Sequence, residues 1–234
     1  MSIEWSEQDG LKIFRDENGS AHSLMFNKAI PLETTLGLLM PNFSSEDMGR
    51  NKHAAVKLYN DGEVKSLPLA EATLIESPLG MYKAELLTFH QSGKLNRIFP
   101  LNGRTTGYWT EENEFALAEE VVIDSPAGKL FVKPIYMSFY ESGALLSVAL
   151  WPKEKVYVNT PLGTLCVETG VSFYENGQVK SLELSSPTVL KTPIGDVEAY
   201  NNEALGISAE NNSLNFYEDG RLKSFFTTSQ SVEV

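Results

Sequence analysis

Residues 173–182 read Phe-Tyr-Glu-Asn-Gly-Gln-Val-Lys-Ser-Leu, and this phrase returns along the chain. Each copy has an aromatic or apolar residue four places before a glycine and an aliphatic residue two places after it. The clear copies surround Gly62, Gly93, Gly143, Gly177 and Gly220, and a degenerate copy surrounds Gly19. A short glycine phrase that returns at this spacing is typical of a repeat protein.

The glycine phrase predicts a three-residue hairpin loop with a glycine bulge. Such a loop sets the residue four before the glycine opposite the residue two after it. Every resulting pair in the clear copies is apolar: Phe173 with Val179, Phe216 with Leu222, Phe139 with Leu145, Leu58 with Val64, and Phe89 with Leu95. A two-residue loop would place Phe173 opposite Lys180 and spoil the apolar face, so the three-residue loop is favoured.

A second turn phrase, the proline phrase, lies between the glycine phrases. Its clear copies are Ser77-Pro78-Leu79-Gly80, Ser125-Pro126-Ala127-Gly128, Thr160-Pro161-Leu162-Gly163 and Thr192-Pro193-Ile194-Gly195, and Thr34-Thr35-Leu36-Gly37 is a weaker copy. Proline suits the first central position of a type I turn and glycine suits the left-handed residue that closes it. The proline phrase therefore also predicts a three-residue hairpin loop with a glycine bulge.

A serine stands four places after the glycine in five copies (Ser23, Ser66, Ser147, Ser181 and Ser224), with Arg97 in the sixth. Apolar residues resume one place later, which a strict period of two does not allow without a bulge or burial on both faces. We interpret the serine as marking a bend. The sequence thus predicts an all-β fold of five to six units in one domain over residues 1–234. The antiparallel hairpin-repeat meander would form either an elongated sheet or a two-layer solenoid.

The amino-acid composition limits the classes of partner expected for this protein. Lysine and arginine total 19 against 31 acidic residues, which gives a net charge of −12. That charge repels phosphate backbones and anionic membrane surfaces, so we expect no nucleic acid and no membrane as partner, and expect a protein partner that is basic if it is charged. A lone Cys166 excludes an internal disulfide, and residues 1–7 lack the features of a secretory signal. We expect a cytoplasmic protein.

One interval breaks the repeat. Gly93 and Gly128 lie 35 residues apart, where the other four intervals from a glycine phrase to the next proline phrase take 18 to 20, and residues 99–124 form the insertion. Its centre predicts a short helix with Thr110 as N-cap. The insertion is either a structural cap or a binding face. The candidate binding residues are Tyr108 and Trp109, as a stacking surface, with Arg104 and the acidic Glu111 and Glu112 beside them.

The repeat also generates a stripe. Tyrosines stand three places before the glycine in four copies, namely Tyr59, Tyr140, Tyr174 and Tyr217. Lysines stand three places after it in several copies, and the chosen loop makes the two positions diagonal neighbours on the outward face. The stripe is either cross-strand packing with a cation-π contribution or a ligand-binding ladder.

Motifs for chemistry are absent from the sequence. The three histidines lie in different units without zinc-ligand spacing, and no P-loop or dinucleotide fingerprint occurs, so we expect no catalytic residues, no metal and no cofactor. Glu111, Glu112 and Glu114 are solvated helix residues, or they supply a carboxylate pair for a hydrolase or a calcium ion.

The phrase Phe-Tyr-Glu-Asn-Gly-Gln-Val-Lys-Ser resembles the MORN-repeat variant of bacterial proteins that include antitoxin-like members, over residues 11–229. The added Ser/Thr-Pro-apolar-Gly hairpin departs from that pattern and looks like an uncharacterised group of bacterial proteins. The resemblance implies a β-hairpin array for binding or scaffolding. We therefore predict a non-enzymatic protein that binds another protein. The alternatives are a carboxylate-dependent, carbohydrate-active hydrolase and an acidic neutraliser of a basic partner.

Overall fold

The computed structural model describes residue 6 and residues 9–43, 50–106, 108–192, 194–201, 209–227 and 230–234. The described residues form strands almost throughout, with one short helix, so the all-β prediction is confirmed. Contacts divide the chain into two compact units, residues 1–118 and 119–234. That these units form a single domain stays a prediction.

The first unit holds a meander sheet. Its elements are β1 (Leu11–Arg15), β2 (Ala21–Phe26), β3 (Leu32–Thr34), β4 (Gly37–Leu39), β5 (Asn51–Lys52), β6 (Val56–Leu58), β7 (Val64–Ser77), β8 (Gly80–Phe89), β9 (Leu95–Phe99), β10 (Gly103–Arg104) and α1 (Glu111–Phe115). In the described part of this unit the sheet runs β1-β2-β6-β7-β8-β9, and β3 pairs with β4 and β5 with β10. Every pairing is antiparallel.

The second unit repeats the design. Its strands are β11 (Val121–Ser125), β12 (Gly128–Val132), β13 (Pro134–Phe139), β14 (Leu145–Leu150), β15 (Val156–Thr160), β16 (Gly163–Phe173), β17 (Val179–Leu184), β18 (Thr188–Thr192), β19 (Gly195–Ala199), β20 (Leu214–Phe216), β21 (Leu222–Phe226) and β22 (Ser231–Glu233). In the described residues its sheet runs β13-β14-β16-β17-β20-β21-β22, with β15 also paired to β16. The hairpins β11–β12 and β18–β19 complete the unit.

The register at the glycine phrase is the predicted one. Phe173 lies opposite Val179, and the other four clear copies pair in the same way. In the copy around Gly62 the Tyr59 N–H donates to the Glu63 carbonyl at 2.8 Å and the Gly62 N–H donates to the Tyr59 carbonyl at 3.0 Å. Three loop residues therefore separate the strands, and Gly62 closes the loop at a φ of +86° that favours glycine.

The loop predicted for the proline phrase is wrong. Ser77 lies directly opposite Gly80, so two loop residues separate the strands instead of three. The hydroxyl of Ser77 accepts from the Leu79 N–H at 3.2 Å and donates to the Gly80 carbonyl at 2.8 Å. These two bonds tighten the turn, and the other proline phrases, which begin with Ser or Thr, make the same pair.

A β-bulge explains the change of face at the serine four places after the glycine. The residue four after the glycine pairs with the residue five before it, so the residue three after the glycine is an extra one in the ladder. These paired positions continue from strand to strand. Across the second unit they form the serine row: Ser138, Ser147, Ser172, Ser181, Asn215 and Ser224. Ser138 and Ser147 share a hydrogen bond of 2.5 Å, and Ser172 and Ser181 share one of 2.7 Å. These four serines are buried, so the sheet is covered on both faces here.

The proline hairpins form a second layer in each unit. A Cβ on Gly177 would lie 3.2 Å from Pro126, and one on Gly220 would lie 3.2 Å from Pro161. In the first unit the Thr35 hydroxyl donates to the Gly93 carbonyl at 2.5 Å. Each of these three proline turns thus rests on the glycine turn two copies further along the chain. The core contains the buried apolar residues of both layers, such as Phe173 of the sheet. Within each unit, the packing of hairpins on the sheet favours the two-layer solenoid over the elongated sheet.

Candidate functional site

The insertion contains the predicted helix. Helix α1 begins after Thr110, whose side chain accepts from the Asn113 N–H at 3.2 Å while the Asn113 side chain accepts from the Thr110 N–H at 2.9 Å. This capping box satisfies backbone donors that a helix start leaves open. The helix is only five residues long, so its position depends on what its side chains contact.

A buried ion cluster holds the helix against the sheet. The Arg50 guanidinium donates two bonds to Glu85 on β8, at 3.0 and 2.8 Å, and its Nε donates to Glu114 of α1 at 2.7 Å. Lys52 lies 3.4 Å from the Glu85 carboxylate. Two cations and two carboxylates thus meet with no net charge. We name Arg50, Lys52, Glu85 and Glu114 the ion cluster.

The carboxylate of Glu114 is saturated with donors. The Trp109 indole N–H donates to it at 2.8 Å and the Gly103 N–H at 2.6 Å. Burial opposes its ionisation, yet the bonds from Arg50, Trp109 and Gly103 together lower its pKa. A Cβ on Gly103 would lie 1.8 Å from a Glu114 oxygen, so no larger residue fits here without displacing the carboxylate. The arrangement locks the insertion onto the sheet.

The proposed binding residues of the insertion separate in space and in exposure. Tyr108 is 93% exposed, whereas Trp109 is half-buried and its indole N–H is used by Glu114. Glu111 and Glu112 are exposed on the helix, and Arg104 is exposed on β10. Burial first, and then the charges of Arg104 and Lys57, lower the pKa of His53. The described residues contain no group of three or more acidic, histidine or cysteine side chains placed for a metal ion.

Sequence reasoning missed Arg50 and Glu85. Glu85 occupies a buried place between Ala84 and Leu86 on a predicted strand, and a carboxylate there requires a cationic partner. The sequence shows the apolar neighbours of Glu85, but its burial is seen only in the structure. Its partner Arg50 comes from a distant part of the chain, which only the fold brings near.

The tyrosine stripe joins neighbouring copies. The hydroxyl of Tyr59 donates to the Phe89 carbonyl at 2.9 Å, that of Tyr140 to Phe173 at 3.0 Å, and that of Tyr174 to Phe216 at 2.9 Å. Each tyrosine therefore bonds to the backbone of the next copy. Lys65 lies 5.4 Å above the Tyr59 ring and Lys180 lies 5.8 Å above that of Tyr174, as the diagonal packing predicted.

Tyr217 ends the stripe. It belongs to the last copy, it is 40% exposed, and within the described residues its hydroxyl forms no hydrogen bond. Arg221 and Lys223 lie 5.3 and 5.8 Å from its ring centre. Of the four tyrosines, Tyr217 therefore has the hydroxyl most open to a ligand.

A third buried carboxylate, that of Glu183, lies two residues after Ser181 of the serine row. Glu183 accepts from the Ser213 N–H at 2.9 Å and from the Ser213 hydroxyl, and Glu168 lies opposite it in the sheet. Burial outweighs the bonds from Ser213 and, with the charge of Glu168, raises the pKa of Glu183. Asn212 donates to Ser181 at 2.9 Å from the same side.

The outward face of the proline hairpins is apolar in the second unit. Val122 and Phe131 lie opposite each other on β11 and β12 and are 44% and 58% exposed. On β15 Tyr157 is 71% exposed. The Asn159 N–H donates to the Ala127 carbonyl at 3.3 Å, so the two hairpins lie side by side. We name Val122, Phe131 and Tyr157 the hairpin surface.

The sequence contains a signal for this surface. The residue six places before the glycine of the proline phrase is apolar in four copies: Leu74, Val122, Tyr157 and Val189. All four are exposed. The outward side of a hairpin that packs by one face is normally polar, so a repeated apolar residue there is informative.

Comparison with known proteins gave no match to a family model, to a curated protein or to a solved structure. Among the described residues, no helix combines the length and the apolar character needed to cross a membrane.

Proposed function

We propose that this protein is a non-enzymatic binding protein that engages another protein through its hairpin surface. The observation that carries the proposal is the exposure of Val122, Phe131 and Tyr157 on adjoining hairpins. Exposed aromatic residues that lie together are typical anchors of protein interfaces, because their burial removes a large apolar area from water.

The polar neighbours of the hairpin surface are paired with one another. Lys129 lies 3.4 Å from Asp124, and the Thr164 hydroxyl donates to Asn159 at 2.9 Å. The surface therefore carries little net charge although the chain is acidic. Its partner is expected to present apolar side chains, and binding is expected to depend weakly on salt.

The hydrolase alternative has less support. Glu85 and Glu114 come together near Trp109, but Arg50 bonds to both carboxylates. A carboxylate with a lowered pKa that is saturated with donors is a poor general acid. The neutraliser alternative has one observation in its favour, because Glu141, Glu175 and Glu218 are exposed at the equivalent position of successive glycine turns.

The test compares the full chain with a Phe131→Ser, Tyr157→Ser double variant. Proteins captured by each from a lysate are quantified, and the partner that the wild type enriches is purified and titrated by calorimetry. We expect the variant to weaken its binding at least tenfold, since two anchors are removed. Leu74→Ser is the matched control, because it changes the same repeat position in the first unit and should leave binding unchanged.

Three outcomes would contradict the proposal. The first is that the double variant retains full affinity. The second is that binding to the purified partner falls steeply with salt and is lost in the triple variant Glu141→Gln, Glu175→Gln, Glu218→Gln, which would support the neutraliser. The third is that only further copies of this chain are captured and light scattering shows a dimer that the double variant abolishes.

A further inference from the structure

A cavity of about 410 Å³ opens on the first unit, on the face that carries the paired positions of the bulge. Its lining is His22, Lys57, Leu58, Tyr59, Lys65, Ser66, Thr88, Phe89, Asn96 and Arg97. The volume falls within the range of small-molecule sites, roughly 300–1,000 Å³. We name it the basic cavity.

The charge of the basic cavity is opposite to that of the chain. Lys57, Lys65 and Arg97 line it together with His22, and among the described residues no carboxylate does, although acidic residues exceed basic ones by twelve in the sequence. Within the described residues neither Lys57 nor Lys65 forms an ion pair. Lys57 and Lys65 therefore repel each other without a counter-charge among the described residues, and a bound anion would relieve that repulsion.

Comparison of the two units shows that the fold does not require these cations. The residues paired beside the bulge form a row across the first unit: Ser23, Lys57, Ser66, Thr88 and Arg97. All of them except Ser23 line the cavity. The same positions of the second unit hold the serine row, of which Ser138, Ser147, Ser172 and Ser181 are buried and hydrogen-bonded in pairs. Lys57 and Arg97 therefore occupy positions where serine is compatible with the sheet.

Polar groups suited to an oxyanion lie between the cations. The Thr88 hydroxyl is buried without a hydrogen-bond partner, and the Ser66 side chain lies beside it on the neighbouring strand. The Tyr59 ring is held in place by its bond to the Phe89 carbonyl at 2.9 Å. An unpartnered buried hydroxyl carries a cost that a ligand oxygen would remove.

We propose that the basic cavity binds a small molecule that carries a phosphate monoester. Such a group brings a charge of about −2 at neutral pH, which suits several cations better than one carboxylate does. Its oxygens match the fork of Arg97 and accept from the Thr88 and Ser66 hydroxyls. The fixed Tyr59 ring offers a flat apolar surface to the rest of the ligand.

The test is calorimetric titration of the full chain with phenyl phosphate at low salt, and with inorganic phosphate and benzoate for comparison. We expect phenyl phosphate to bind most tightly, because it combines the dianion with a ring. Lys57→Ser and Arg97→Ser each restore the serine of the second unit, and each should weaken binding at least tenfold. Circular dichroism checks that both variants fold. Lys65→Ser, at an exposed position of the cavity, gives a third measurement of the contribution of a cation to binding.

The matched control is Lys180→Ser. Lys180 lies over Tyr174 as Lys65 lies over Tyr59, but beside the serine row, so its removal should leave phenyl phosphate binding unchanged. The proposal is overturned if phenyl phosphate does not bind at millimolar concentration or if benzoate binds equally well. It is also overturned if the Lys57, Lys65 and Arg97 variants bind as the wild type does, or if a single-stranded oligonucleotide binds more tightly at the same residues.

Discussion

At the scale of single residues, the buried carboxylates use opposite solutions to the cost of burial. Glu114 stays ionised because Arg50 and two N–H donors bond to it, and its pKa is lowered. Among the described residues Glu183 has only Ser213 as a donor residue, and burial, together with the charge of Glu168 opposite it, raises its pKa. The difference arises from the partners, since both side chains are almost fully buried.

Glu183 makes the stability of the protein depend on pH. The pKa of Glu183 is higher in the folded state than in the unfolded state. Its contribution to the free energy of unfolding is therefore complete below the pKa of the unfolded state, and it is lost as the pH rises through the pKa of the folded state. Glu183→Gln removes this loss, because a neutral amide accepts from the Ser213 N–H and donates to its hydroxyl. We expect the variant to be at least as stable as the wild type at pH 7 and its advantage to vanish near pH 4.

Urea unfolding of both proteins across this pH range measures the effect, and the difference between them isolates Glu183. Parallel stability curves would show that Glu183 does not titrate on unfolding.

Glu114 contributes to stability through the ion cluster. Glu114→Ala leaves Arg50 and Lys52 facing Glu85 alone and removes the acceptor of the Trp109 indole. Breaking a buried ion pair costs about 3–5 kcal/mol. Urea unfolding followed by tryptophan fluorescence should show this loss in the free energy of unfolding. The exposed neighbour Glu111→Ala is the control and should change stability by less than about 1 kcal/mol; an equal effect in both variants would contradict the role of the cluster.

At the scale of elements, hydrogen bonds that recur at fixed repeat positions join one hairpin to the next. Tyr59, Tyr140 and Tyr174 each reach the backbone of the following copy, whereas the Tyr217 hydroxyl bonds to none of the described residues. The serine row adds hydroxyl bonds within the hairpins of the second unit. The repeat phrase thus specifies both the turn and the contact to the next turn.

The tyrosine bonds predict a difference between copies. Tyr140→Phe and Tyr174→Phe each leave a carbonyl without its side-chain donor and should lower the free energy of unfolding by about 0.5–1.5 kcal/mol. Tyr217→Phe removes a hydroxyl that bonds to none of the described residues and should change stability by less than about 0.5 kcal/mol. Chemical unfolding of the three variants measures the contrast, and an equal loss in all three would refute it.

At the scale of the whole molecule, stability is expected to spread over neighbouring copies. Phe173 is fully buried between the copies that contain Phe139 and Phe216, and each copy buries its apolar face against its neighbours. Removing one ring should therefore weaken more than its own hairpin.

Phe173→Ala should lower the free energy of unfolding by about 3–5 kcal/mol, the usual cost of emptying an aromatic core position. Hydrogen exchange should show reduced protection in β14 and β20 as well as in β16 and β17. Loss of protection confined to residues 163–184 would mean that the copies unfold independently. Phe226→Ala, which changes a partly exposed phenylalanine, is the control and should cost much less.

The hairpins and their register follow from the order of neighbouring residues in the chain. Glycine at the closing position and the apolar pair around it select the three-residue loop, because only that loop keeps Phe173 opposite Val179. The helix start at Thr110 was equally legible, since capping is local chemistry. The proline loop was predicted one residue too long because the hydroxyl bonds of Ser77 that tighten it were not considered.

Contacts between distant side chains depend on how the folded chain packs. The bonds of Arg50 to Glu85 and Glu114, and the gathering of Lys57 and Arg97 in one cavity, join strands and segments far apart in sequence. Hairpin periodicity fixes which face a residue occupies, but not what the second layer or the insertion places over that face. Neighbouring residues therefore specify the turns, whereas the candidate binding surfaces depend on how the copies stack.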